Sequence, residues 1–281
     1  MVNSNGHILK KEDASLSIYN RGFAYGDAVF ETIKISHNKV LFLEDHYFRL
    51  MASMRILRME IPMYFTLEFL ETELLKLTAA NNQSHLTIRA KLQVWRKEGG
   101  LFNPITNDVE YLISTKILDT DFYIYNDSEY RVDLFKDYYI APSLLSTLKS
   151  NNRLINVVGS IYAKENNLNN CLILNTNKSV VEALNANIFL VKGTTIKTVP
   201  LNDGCIKGVM RKQIIDIIKL MPEFSFEEAS ISPFELQKAD ELFLTNTITG
   251  IQPITHYRKR VFNTEVSKNI LAKLNVKVRL T

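Results

Sequence analysis

Three short apolar runs, Cys171 to Leu174, Val180 to Leu184 and Asn187 to Lys192, follow one another with only turn-length gaps between them. Three strands spaced so closely leave no room for helical crossovers, and this departs from the regular strand-helix alternation of a TIM barrel. A helix is predicted just before them, from about Asn152 to Asn166. A fourth strand, Ile196 to Val199, comes after them and precedes the glycine-flanked turn Gly204-Cys205-Ile206-Lys207-Gly208. Helical periodicity then resumes from Val209 to Leu220, so this half reads as a sheet with helices packed on it.

The first third reads as strand, turn, strand and then helix. Ser15 to Ile18 leads into a turn region at Gly22 and Gly26, and alternation resumes from Val29 to Ile35. Helices are predicted from Leu43 to Met59 and, after Pro62, from Leu67 to Ala80, with a further strand from Leu86 to Trp95. The pattern loosens between Leu112 and Asp127, which predicts a crossing between two domains, residues 1–118 and 119–281. The expected class is α/β with an α+β first domain, and a 281-residue chain with 46% apolar content can give both domains real cores.

Composition narrows the function classes. The 34 basic and 30 acidic residues are scattered, and the densest basic stretch, Arg258-Lys259-Arg260, is short and isolated, which argues against a nucleic-acid partner. Cys171 and Cys205 form neither a CxxC pair nor a disulfide framework, so no zinc site or disulfide scaffold is expected. Met1 to Gly6 has no apolar signal region, and no apolar run approaches membrane-spanning length, so the expectation is a cytoplasmic protein with no membrane partner.

Several residues could carry chemistry. Lys149 lies just before a predicted helix whose first turn offers Ser and Asn as caps; a partly buried lysine there would have its ammonium form disfavoured, as an amine nucleophile requires. Glu182 sits on a strand of small and apolar residues, where a carboxylate suits a cationic ring nitrogen. The turn from Gly204 to Gly208 opens a helix whose first amides are unpaired and so attract phosphate. Arg49 by charge and Thr247 by hydroxyl could complete a phosphate cup. Each has a plainer alternative: a solvated loop lysine, an outward strand carboxylate, an ordinary turn and ordinary surface residues.

The segments Asn20-Arg21-Gly22-Phe23-Ala24-Tyr25-Gly26-Asp27-Ala28-Val29-Phe30-Glu31-Thr32, His46 to Leu50, Lys149 to Asn152, Glu182 with Asn187-Ile188-Phe189, Gly208 to Arg211, and Thr245 to Thr247 leading to Pro253-Ile254 together resemble the class IV aminotransferases, or fold type IV pyridoxal-phosphate enzymes. Their order and separations agree over nearly the whole chain. The resemblance implies two α/β domains with pyridoxal 5′-phosphate in the interdomain cleft, usually in a homodimer. It also implies Lys149 as Schiff-base lysine and proton shuttle, Glu182 as partner of the pyridine nitrogen, and Arg49, the Val209 and Met210 amides, and Thr247 as phosphate ligands.

Within that family the residues separate the reactions in part. Leu154 stands where branched-chain aminotransferases carry a tyrosine, and Leu101 and Asn103 replace the Arg and His with which D-amino acid aminotransferases trap the substrate carboxylate. Lys149-x-x-Asn152-Arg153-Leu154 and Gly208-Val209-Met210-Arg211-Lys212 are more similar to aminodeoxychorismate lyases, although Leu101 stands where those often carry arginine. Arg96 and Lys97 are the candidate replacement cations for a small amino substrate, with Phe30 a further substrate contact. The lyase is the favoured expectation and transamination the alternative. A cofactor-free lysine Schiff-base lyase and a non-catalytic relative are the rivals from other classes.

Overall fold

The computed structural model describes residues 1–126 and 128–280, arranged as two compact units. The first comprises Met1–Asp121 and Leu148–Asn152; the second comprises Phe122–Thr147 and Arg153–Thr281.

The first unit contains β1 (Val2–Ser4), β2 (His7–Leu9), α1 (Arg21–Ala24), β3 (Ala28–Ser36), β4 (Lys39–Val40), α2 (Leu43–Ile56), α3 (Leu67–Ala80), β5 (Thr87–Arg96) and β6 (Val109–Ile117). Its six-stranded sheet has the order β2-β1-β6-β5-β3-β4, with β3, β5 and β6 antiparallel. Alternation along β3 and β5 sends Val29, Ile33, Ile35, Ile88, Ala90, Leu92 and Val94 to one face, where they pack with Leu50, Met54, Leu74 and Leu77 of α2 and α3. Phe30, Thr32, Lys34, Arg89, Lys91 and Gln93 therefore share the other face.

The second unit contains β7 (Arg131–Ile140), α4 (Leu154–Glu165), β8 (Asn170–Asn175), β9 (Val180–Ala183), β10 (Asn187–Lys192), β11 (Thr195–Thr198), α5 (Val209–Ile218), β12 (Ser225–Glu228), α6 (Pro233–Lys238), β13 (Glu241–Asn246), β14 (Gly250–Ile254), β15 (His256–Tyr257), β16 (Arg260–Val261) and α7 (Glu265–Leu280). It forms two five-stranded sheets, β12-β11-β10-β13-β14 and β16-β15-β7-β8-β9. The closely spaced runs split between them: β8 pairs with β9 in one sheet, and β10 pairs with β11 and β13 in the other. Their inward side chains, including Leu172, Val180, Ile188, Leu242 and Leu244, meet in one core.

Three sequence readings need correction. Ser15 to Ile18 is not a strand; the ordered turn after it is α1, capped by Asn20 through the Phe23 amide. Strand β6 runs through the first half of the stretch that looked loose, and that stretch's last residue, Asp127, lies outside the described residues. Leu148–Asn152 groups with the first unit, because Ser150 makes an antiparallel bridge to Val29 at the start of β3. No helix among the described residues is long and apolar enough to cross a membrane.

Candidate active site

In the first unit, Lys149 is pinned by its own backbone. Its carbonyl accepts from the Phe30 amide at 2.8 Å, and the Asn151 amide donates to the Ala28 carbonyl at 3.0 Å. The half-buried side chain brings Nζ to 4.6 Å from the centre of the Phe30 ring. The expected helix-terminus environment is not what holds it. Helix α4 begins at Leu154 with Arg153 at the N-cap position and no side-chain cap, while Ser150 is in the bridge. Asn152 lies against Gly26, where an added Cβ would come within 2.4 Å of its Oδ1 and where φ is +65°.

Arg49 and His46 lie three residues apart on α2, so one helix face directs both at β3. There they meet Glu31, an acid at a core-facing position between Val29 and Ile33. Arg49 donates to Glu31 through Nε at 2.8 Å and again through a terminal nitrogen, and His46 Nδ1 lies 2.6 Å from Oε2. Burial alone would push the Glu31 carboxyl up, but the Arg49 guanidinium and the His46 ring outweigh it and hold the group at about 2. Burial lowers the His46 pKa, against the pull of Glu31. The neutral ring then donates from Nδ1 to the carboxylate and keeps an acceptor at Nε2, which is buried with no partner among the described residues. An acid on the core face of an alternating strand, followed by His and Arg at i, i+3 on the next helix, was the legible signal for Glu31 and His46, and it was missed.

Of the expected substrate cations, Arg96 needs correction. Its guanidinium donates to Asp27 at 2.9 Å, to the Leu57 and Arg58 carbonyls at 2.6 and 3.1 Å, and to Asn107. Asp27 also accepts from Arg21 Nε, and Arg21 Nη1 donates to the Gly99 and Leu101 carbonyls. The arginine of the Asn20 to Asp27 motif thus clasps the 99–102 loop, and Arg96 shares its Asp27 partner. Lys97 is exposed, 3.7 Å from Asp108. Leu101 is 77% exposed and offers no polar group. The cation beside Phe30 is instead Lys91, whose Nζ lies 4.9 Å from the same ring that faces Lys149. Burial and the charge of Arg89 both lower the Lys91 pKa.

In the second unit, Glu182 is buried on β9, not on an outward face, and its Oε2 accepts from the Ile206 amide at 2.9 Å. Asn187 on β10 donates to the Ile206 carbonyl at 2.9 Å, so the turn before α5 is anchored from two strands. Gly208 is the N-cap of α5 and supplies no side-chain cap; an added Cβ there would come within 2.0 Å of Asn187 Oδ1. The first amides of α5, at Val209 and Met210, have no carbonyl four residues back within the helix. Thr247 lies in the turn between β13 and β14, its carbonyl accepting from Tyr123, and the neighbouring Thr245 Oγ1 is buried with no partner among the described residues.

The class IV amino-transferase family model matches residues 28–257. A Methanocaldococcus jannaschii protein provisionally named a branched-chain-amino-acid aminotransferase is 30% identical over 98% of this chain and 94% of its own length. A D-alanine aminotransferase of Listeria monocytogenes is 29% identical over 90% of this chain and 86% of its own. The crystal structure of 4-amino-4-deoxychorismate lyase from Pseudomonas aeruginosa matches with a TM-score of 0.82 at 26% identity, covering 98% of each chain. The chain belongs to the class IV aminotransferases, a family of pyridoxal-phosphate enzymes.

Proposed function

We propose that this chain is a pyridoxal-phosphate enzyme that cleaves 4-amino-4-deoxychorismate to 4-aminobenzoate and pyruvate. The residues present fit the cofactor by the chemistry of their donors. The N-terminus of α5 offers uncapped amides beside a glycine that admits no side chain, and Thr245 Oγ1 and His46 Nε2 are buried polar atoms without partners among the described residues. Val209, Met210, Thr247 and the oriented guanidinium of Arg49 would hold the phosphate, Glu182 the ring nitrogen, and Lys149 the aldehyde carbon. When bound, the cofactor supplies an electron sink that makes the bonds at the substrate α-carbon breakable.

The chain's own residues then divide the remaining work. Lys149 Nζ, displaced by the substrate amine, would accept the α-proton. The Phe30 ring, 4.6 Å from Nζ, would limit the positions the amine can take. Lys91 would pair with a substrate carboxylate, the task left open by Leu101.

The observation that carries the lyase reading is Lys91 standing beside the ring that also faces Lys149. A dicarboxylate substrate needs cations, whereas the Arg and His trap for a simple amino acid is replaced by Leu101 and Asn103. The names of the sequence relatives favour transamination as the second reading. By its resemblance to the family, the chain would act as a homodimer.

The test is to mix the holoenzyme with aminodeoxychorismate and, separately, with L- and D-amino acids plus 2-oxo acids. Equimolar 4-aminobenzoate and pyruvate support the lyase. Amino-acid-dependent conversion of a 2-oxo acid without 4-aminobenzoate selects the transaminase instead.

A further inference from the structure

Asn187 opens β10, is only 6% exposed, and offers no acid, base or nucleophile. Its side chain is nevertheless committed to one short stretch of backbone. The amide nitrogen donates to the Ile206 carbonyl at 2.9 Å, and the amide oxygen faces Gly208 so closely that an added Cβ would come within 2.0 Å of it. On the other side of the Ile206 Cα, the Ile206 amide donates to Glu182 Oε2 at 2.9 Å. Ile206 is therefore held through both of its flanking peptides, by a carboxylate from β9 and an amide from β10. A residue has only two soft backbone dihedrals, and these two bonds restrain both.

Two features of the cofactor site depend on Ile206. The first is Glu182: an ionised carboxylate accepts in several directions, and the bond from the Ile206 amide selects one of them and so orients the group. The second is α5, which begins at Val209 with Gly208 at its N-cap and no side-chain cap. The direction of its first, unpaired amides follows from the backbone that enters the helix, and Ile206 and Gly208 are the two residues of that backbone that Asn187 touches. The far end of the same turn has a separate tie, in which Asn175 Nδ2 donates to the Asp203 carbonyl at 3.1 Å. All of these residues belong to the second unit.

We propose that Asn187 is a positioning residue of the cofactor site. Through Ile206 it sets the Glu182 carboxylate against the ring nitrogen, and through Ile206 and Gly208 it aims the α5 amides at the phosphate. One braced residue thereby couples the grip on the two ends of the cofactor. The proposal rests on reading Glu182 and the α5 N-terminus as ligands of pyridoxal phosphate. It holds for either cleavage or transamination, since no substrate contact enters it.

The experiment has two readouts, both taken without substrate: affinity for pyridoxal phosphate by absorbance titration, and the ring-nitrogen NMR resonance of the bound, isotope-labelled cofactor. Asn187→Ala should weaken cofactor affinity by about tenfold, the factor expected for one buried hydrogen bond. It should also move the resonance from the protonated toward the unprotonated ring value, because a misaligned carboxylate stabilises the ring cation less. Glu182→Gln should move the resonance further. In that background Asn187→Ala should move it no more, yet should still weaken affinity, because the α5 amides are loosened all the same.

Asn175→Ala separates positioning from stiffness. It should lower the melting temperature and leave the resonance in place; a resonance moved as far by Asn175→Ala as by Asn187→Ala would make Asn187 one structural tie among others and overturn the proposal. So would a resonance that Asn187→Ala leaves unmoved, whatever the affinity. Should Asn187→Ala fail to fold, Asn187→Ser decides by the same two readouts, since its shorter side chain keeps a polar group but falls short of Ile206. A wild-type resonance already at the unprotonated value would remove Glu182 as the ring-nitrogen partner and this proposal with it. If wild type binds the cofactor and the resonance follows Asn187, but aminodeoxychorismate yields no 4-aminobenzoate, the lyase reading fails and this one stands.

Discussion

Replacing Glu31 with Gln tests whether the buried cluster beneath the sheet is an electrostatic unit. The carboxylate accepts from Arg49 twice and from His46 once, and Arg49 and His46 are themselves nearly sequestered from water. Glu31→Gln keeps the shape but removes the anion, leaving the guanidinium uncompensated and turning an amide group toward the His46 Nδ1 proton. Lowering the carboxyl from 4.5 to about 2 corresponds to about 3 kcal/mol of native-state stabilisation at neutral pH. That agrees with the roughly 3–5 kcal/mol cost of breaking one side of a buried ion pair.

The sign follows from the direction of the shift. The folded value lies below the unfolded one, so the stabilisation is complete above the unfolded value and is lost as pH falls toward about 2. The gap between wild type and Glu31→Gln in urea unfolding should be about 3 kcal/mol at pH 7 and about half that at pH 3. A gap under about 1 kcal/mol at pH 7, or one that does not narrow on acidification, would refute the assignment of Glu31 as the anion of the cluster.

Lys149→Ala should retain the fold, because the segment is held by backbone bonds, yet lose the near-visible absorbance band that borohydride removes from wild type with bound pyridoxal phosphate. No band in wild type after incubation with the cofactor would sink the cofactor assignment. Gly208→Ala should weaken cofactor affinity by about tenfold or more in an absorbance titration, because the new Cβ runs into Asn187 and displaces the turn before α5. Unchanged affinity would remove that turn from the phosphate site. Arg96→Met should destabilise by about 2–4 kcal/mol through the loss of the charge-assisted bonds to Asp27 and of the donors to the Leu57 and Arg58 carbonyls, measured by thermal unfolding. A raised KM with unchanged stability would restore Arg96 as a substrate contact. Cys205, buried with its thiol pushed up to about 12 by burial first, should resist thiol-specific labelling in the folded state; rapid labelling at neutral pH would contradict that burial.

Local signals were legible wherever one periodicity governed a whole element. Helix α3 and strand β10 fall on their expected limits, and α2, α4, α5, β5, β8 and β9 begin or end within a few residues of theirs. The reading failed where structure depends on distant partners. Strands β1 and β2 are three residues each, too short for a pattern, and exist because β1 pairs with both β2 and β6. Lys149 looked like a helix-terminus residue because its neighbours are cap-forming types, but Ser150 bridges to Val29 and Asn152 packs against Gly26.

The amino-acid sequence by itself pointed to the family, which the order and separation of several short segments along nearly the whole chain made legible, and it named the cofactor candidates as an expectation of that resemblance. Only the tertiary structure decided which charges are spent internally. Arg96 is consumed by Asp27 and three further acceptors, Glu31 is committed to Arg49 and His46, and Lys34, Arg89 and Lys116 are aligned across three strands whose register no local pattern encodes. The physical reason is that a charge takes its role from the partners that surround it when water is removed, and those partners come from segments far apart along the chain.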